Sequence, residues 1–255
     1  MNIKKNIPNT ITCGNLFCGC LALVSAFNGN LVWSAYFVGI AGVLDFLDGF
    51  IARLLNVHSE IGKQLDSLAD MVTFGLVPGV VMFIFLSNAV AIHLRTSDTN
   101  MIVLNYIPFC AFLITIFSAI RLAKFNIDTR QTNSFIGVPT PANALLICSF
   151  PLINFFQPTI ENFGLIQILG NIWFLLGSTI LMSYLLVAEL PLFALKFKNF
   201  GWADNKIRYS FLIASIILLL LFQFIAIPFI IFLYVILSVI NNLFLSNNSV
   251  NKLNN

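Results

Sequence analysis

Between Asp45 and Asp70 the sequence DFLDGFIARLLNVHSEIGKQLDSLAD carries four aspartates, in a chain with only ten acidic residues. Asp45 and Asp48 are three apart, Asp66 and Asp70 four apart, and the polar break LNVHSE at 55–60 separates the pairs. Residues three or four apart share one face of a helix. At about 100° per residue, Asp48, Gly49, Ala52 and Arg53 all fall within about 80° of Asp45. Ser59, Gly62, Asp66, Asp70 and Thr73 form a second stripe. In an antiparallel hairpin the two stripes can face each other, and the glycines let the backbones approach closely. Four carboxylates around one cavity repel strongly at low dielectric. Oxygen-only donors suit Mg²⁺ or Mn²⁺ rather than zinc. The pattern predicts two divalent cations held by Asp45, Asp48, Asp66 and Asp70, with Arg53 at the rim, as a clamp for a pyrophosphate. A cap or interfacial position explains a lone aspartate at a helix end, such as Asp128 or Asp204. It does not explain four on one hairpin.

The elements that position these residues are read from composition. Apolar residues make up 59% of the chain and charged residues 9%, against roughly 25% charged in a soluble domain. Such a chain cannot dress itself for water, and the expected fold class is all-α, a polytopic integral membrane helical bundle. Apolar windows and polar breaks place about eight transmembrane helices, at roughly 11–27, 31–55, 61–86, 104–121, 139–156, 164–195, 209–224 and 227–245. Residues 1–245 read as a single membrane domain. The Asn-rich segment 246–255 reads as a flexible cytoplasmic tail. With eight spans, twelve of the thirteen Lys and Arg fall on the N-terminal side and Arg95 alone on the other. The positive-inside rule then makes both termini and the aspartate hairpin cytoplasmic. The net charge of +3 is too small to imply a nucleic-acid partner. The five cysteines form no CxxC pair and read as small buried apolar residues.

The pattern D-x2-D-G-x2-A-R-x8-G-x3-D-x3-D is met at every fixed position by Asp45, Asp48, Gly49, Ala52, Arg53, Gly62, Asp66 and Asp70. It resembles the signature of the CDP-alcohol phosphotransferase family. The resemblance implies a six-helix catalytic core, two divalent cations on the four aspartates, and Asp70 as the general base. It implies nucleotide contacts at Gly49, Arg53 and Ser59, and at Asn9 and Thr12 of PNTIT. The same short PNTIT motif also reads as a helix N-cap at Asn9 or Thr10.

The segments ITCGNLFCGC, DSLADMVTFGLVPG, RLAKFNI at 121–127 and GVPTPAN at 137–143 resemble the phosphatidylserine synthase branch. This resemblance covers most of residues 7–145. It implies an enzyme of the cell membrane that transfers a phosphatidyl group from CDP-diacylglycerol to L-serine and releases CMP. It also implies a possible homodimer. Arg121, Lys124 and Asn126 are the candidates for binding the acceptor or the lipid phosphate, with positive-inside anchoring as the plain alternative. Glu189, read as lying near the cytoplasmic end of a long helix, is a second acceptor candidate, with snorkelling as its alternative. His58 receives no role.

Rival readings differ in what they require. Relatives acting on glycerol 3-phosphate or inositol phosphate call for a denser basic pocket than Arg121 and Lys124 provide. A prenyltransferase calls for two separate Asp-rich motifs, and a cation-coupled transporter for two related halves.

Overall fold

The structure, a computed structural model, describes residues 3–57, 59–96, 104–128, 134–157, 164–193 and 201–253. His58 and the loop at 97–100 lie outside these residues, as does most of the polar run after Asp128.

Helix α1 (Ile3–Phe27) and helix α2 (Leu31–Leu54) form a hairpin whose turn is closed by Asn30. The Asn30 side chain accepts from the Trp33 N–H at 3.3 Å and caps α2. Helix α3 (Glu60–Asp70) is capped by Ser59, whose Oγ accepts from the Gly62 N–H at 3.1 Å. It runs through one π-helical turn (Met71–Leu76) into α4 (Val77–Thr96). This continuous rod is the most buried of the long apolar helices and packs against every helix that builds the site. A 3₁₀ turn (Ile107–Ala111) leads into α5 (Phe112–Ile127). Pro139 precedes α6 (Thr140–Phe156), where its fixed φ suits a helix start.

Next come the short α7 (Leu165–Leu169) and α8 (Ile172–Val187). Helices α9 (Trp202–Phe222) and α10 (Ala226–Leu253) form a final hairpin with its turn at Gln223. Among the described residues five helical stretches are long and apolar enough to cross a membrane, and the last of them contains this hairpin. Helices α6 and α8 are shorter apolar helices. Apolar side chains cover the outside, as with Leu220 at 78% exposure, which suits lipid and not water.

The all-α expectation holds, with one addition and several shifts in boundary. Strands β1 (Ser134–Ile136) and β2 (Pro191–Phe193) pair antiparallel, with Phe135 opposite Leu192. Helix α1 begins at Ile3 and carries Pro8 inside it, so Asn9 and Thr10 lie within the helix and do not cap it. The single helix expected over 164–195 is broken. Asn171 caps α8 by accepting from the Trp173 and Phe174 N–H groups at 2.8 and 3.2 Å. Ala188, with φ −60° and ψ 138°, ends it. Glu189 therefore stands in the link to β2 and not on a helix. Backbone helix also continues past 245 to Leu253.

Candidate active site

Helices α1, α2 and α3 come together around the aspartates. Asp45, Asp48 and Asp66 each offer a carboxylate oxygen, and these atoms all lie within 4.8 Å of one another. The Asp45 carboxyl interacts directly with those of both Asp66 and Asp70. Asp48 is 6% exposed and accepts from the Thr12 hydroxyl at 2.5 Å. Thus the carboxylates of the two stripes expected to face each other do meet, and all four aspartates join one connected cluster. The close helix packing, however, is that of α1 against α2 and against α3, and the glycine expected to admit α2 admits α1.

The donor set tests whether a divalent cation fits. The Asp66 Oδ1 atom is buried with no hydrogen-bond partner among the described residues. An orphaned carboxylate oxygen beside two more carboxylates is a costly arrangement for protein alone, and it is what a hard cation with oxygen ligands requires. The residues present fit such an ion.

A cavity of about 240 Å³ opens beside Asp48 and Asp66. Asn9, Thr12, Gly49, Ser59 and Gly62 line it, so four of the five residues expected to touch a nucleotide share one space. The fifth, Arg53, is exposed on the neighbouring turn. Its Nη1 would lie 3.7 Å from a Cβ on Gly49, which puts it at the rim. Gly62 shows why α1 and α3 come so close: a Cβ there would stand 2.7 Å from Asn9 Oδ1. Lys63 also lines this cavity, and its Nζ donates to the Asn126 carbonyl at 2.8 Å.

Asp70 is 8% exposed and does not line this cavity. It ends α3 where the π turn begins, and single π turns often occur at functional sites. The turn is tied on two sides. Thr73 Oγ1 donates to the Asn15 carbonyl at 3.3 Å, and Thr115 Oγ1 to the Gly75 carbonyl at 3.1 Å. Beyond Asp70 stands Arg121, which is 7% exposed, attracted electrostatically to Asp70, and without a hydrogen-bond partner at Nε among the described residues.

Arg121 and Lys124 line a second cavity of about 340 Å³, together with Asp128, Ile136, Leu186, Val187 and Glu189. The burial of Arg121 rules out simple surface anchoring for it. Asn126 does not line this cavity. Its Nδ2 donates to Ser67 Oγ at 2.8 Å while its carbonyl takes Lys63, so it ties α5 to α3.

One residue at the site escaped sequence reasoning. Asn15 is fully buried on α1, and its Nδ2 donates to Asp70 Oδ1 at 3.2 Å. Its signal was present in the sequence: a single amide in an apolar transmembrane stretch needs a partner inside the bundle.

A family model described as CDP-alcohol phosphatidyltransferase matches residues 5–182. The chain is 37% identical over 150 residues to the CDP-diacylglycerol–serine O-phosphatidyltransferase of Bacillus subtilis (strain 168), a match covering 56% of this chain and 75% of that protein. It is 31% identical over 218 residues to the protein of the same name from Helicobacter pylori (strain J99), covering 84% and 79%. It is also 29% identical over 176 residues to the archaetidylserine synthase of Methanothermobacter thermautotrophicus, covering 66% and 69%.

Proposed function

The chain belongs to the CDP-alcohol phosphatidyltransferase family, and from that membership we propose that it is a CDP-diacylglycerol–serine O-phosphatidyltransferase. The reaction joins the serine hydroxyl oxygen to the phosphorus that carries diacylglycerol, and breaks the bond from that phosphorus to CMP. One observation carries this reading: Asp48 and Asp66 line one cavity, and Arg121, which feels the charge of Asp70 in the same connected set of carboxylates, lines a second. A donor in one cavity and an acceptor in the other would meet at the aspartates.

In this reading Asn9, Thr12, Gly49 and Ser59 bind the cytidine nucleotide, and Arg53 reaches its phosphate from the rim. Asp45, Asp48, Asp66 and Asp70 hold two divalent cations, Mg²⁺ or Mn²⁺, which when bound neutralise the pyrophosphate and the charge developing on CMP. Asp70 accepts the proton of the serine hydroxyl. Arg121 and Lys124 hold the serine carboxylate, whose charge the buried guanidinium is well suited to pair. Asn126 contributes through the Ser67 and Lys63 ties. The charge asymmetry of the loops supports a cytoplasmic face for the site and both termini.

Two expected outcomes follow from contacts at the site. Asn15→Ala frees the Asp70 carboxylate to rotate, and kcat should fall about 10-fold, the scale of one lost hydrogen bond to a charged group. The KM for CDP-diacylglycerol should hold, and steady-state kinetics would separate the two. In Gly62→Ala the new methyl displaces the Asn9 amide, the flexible end of a side chain. The KM for CDP-diacylglycerol should rise about 3- to 10-fold while the melting midpoint moves by only a few degrees, since the change costs about 1 kcal/mol.

The proposal is tested by CMP release from CDP-diacylglycerol by detergent-purified protein with Mg²⁺ or Mn²⁺. L-serine, glycerol 3-phosphate and inositol phosphate are supplied in parallel. Release driven by serine is expected. Release driven by a phosphorylated alcohol alone would keep the aspartate site and overturn the acceptor.

A further inference from the structure

Glu189 lines the second cavity together with Arg121 and Lys124, and comes from the link to β2 where they come from the end of α5. The backbone on either side of it is held. The Ala188 N–H bonds the Tyr184 carbonyl at 2.9 Å, the Gly137 N–H bonds the Leu190 carbonyl at 3.0 Å, and the Val138 N–H bonds the Leu185 carbonyl at 2.9 Å. Gly137 has φ +75°, and a Cβ there would lie 2.5 Å from the Leu186 carbonyl oxygen. Only glycine lets the two backbones lie in this contact. Strands β1 and β2 continue the pairing, and β2 is itself tied to α10. Tyr234 Oη donates to the Phe193 carbonyl at 2.9 Å, and Asn242 Nδ2 donates to the Pro191 carbonyl. The link that presents Glu189 is thus built into the fold.

The cavity is therefore lined by the two cations of the α5 end and by a carboxylate on the link to β2. Asp128 lines it too, but already has a partner within the protein. A free amino acid brings a carboxylate and an ammonium group on one carbon. Arg121 and Lys124 satisfy the first, and an ammonium group drawn from water needs an acceptor of its own. We propose that Glu189 is the specificity-determining residue of this cavity, binding the ammonium group of the acceptor and so selecting a zwitterionic amino alcohol. This deepens, and rests on, the serine reading above. The same carboxylate repels a doubly charged phosphorylated alcohol, so it discriminates in both directions.

The test compares the wild type with Glu189→Gln, which keeps the shape and removes the charge. Two quantities are measured with CDP-diacylglycerol and Mg²⁺: the KM for L-serine, and the inhibition constant of glycerate against serine. Glycerate keeps the hydroxyl and carboxylate and bears a hydroxyl in place of the ammonium group. In Glu189→Gln the KM for serine should rise about 10- to 100-fold, the range of one hydrogen bond to a charged group. The glycerate inhibition constant should stay level or fall, and Glu189→Asp should recover part of the serine affinity. If KM and inhibition constant rise together, Glu189 only supports the fold and the proposal fails. An unchanged serine KM overturns it as well, leaving the serine reading intact. A wild type that ignores serine and uses glycerol 3-phosphate overturns both readings.

Discussion

Asp70→Asn should yield a folded protein whose serine-dependent CMP release has dropped by at least about 10³-fold, within the range general-base catalysis contributes. The argument rests on where Asp70 stands. It ends α3, is 8% exposed, contacts Asp45, and is attracted to Arg121 at the second cavity. Asparagine has the same shape and can still accept from Asn15 Nδ2, which now lies 3.2 Å from Asp70 Oδ1. The packing of α1 on the π turn should therefore survive, as should a melting curve close to that of the wild type. What asparagine cannot do is take a proton from the acceptor hydroxyl. Turnover, thermal unfolding and CMP binding measured on one preparation would separate these effects. Near-normal turnover would refute the base role.

Asp66→Asn should abolish metal-dependent nucleotide binding, and its signature includes a gain as well as a loss. Oxygens of Asp45, Asp48 and Asp66 lie within 4.8 Å of one another, and Asp66 Oδ1 has no hydrogen-bond partner among the described residues. Without cations such a cluster repels itself. With EDTA present, the variant should melt at the same temperature as the wild type or higher. Added Mn²⁺ should stabilise the wild type, by about 2.7 kcal/mol at a hundred times its dissociation constant, and leave the variant unmoved. A cluster that served only to hold the hairpin together would give the opposite pattern, with the variant melting lower in EDTA.

The aspartate site was legible because its information is local. Spacings of three and four residues on either side of one short break fix two helical faces, and Asn30, Ser59 and Pro139 mark the helix starts beside them. Only contacts made in three dimensions were hidden. Asn15 looked like one more residue in an apolar run until Asp70 was placed beside it. Arg121 was indistinguishable from a surface anchor because burial is not written in its neighbours. The break before Asn171 and the link at Glu189 sit inside a stretch apolar enough to read as one helix. The strand partners are more than fifty residues apart, and their pairing leaves no periodic trace in either short segment. Asn126 shared a motif with Arg121 and Lys124, yet its position on the helix turns it toward Ser67 and away from their cavity.

The most direct measurement of the central claim supplies isotopically labelled L-serine and CDP-diacylglycerol to detergent-purified protein with Mn²⁺, and counts labelled lipid and free CMP together. The two-cavity arrangement predicts one labelled phosphatidylserine for each CMP released, and neither product when serine is omitted. Release of CMP without label entering the lipid would make the protein a hydrolase of its donor. It would contradict the assignment of the second cavity to serine.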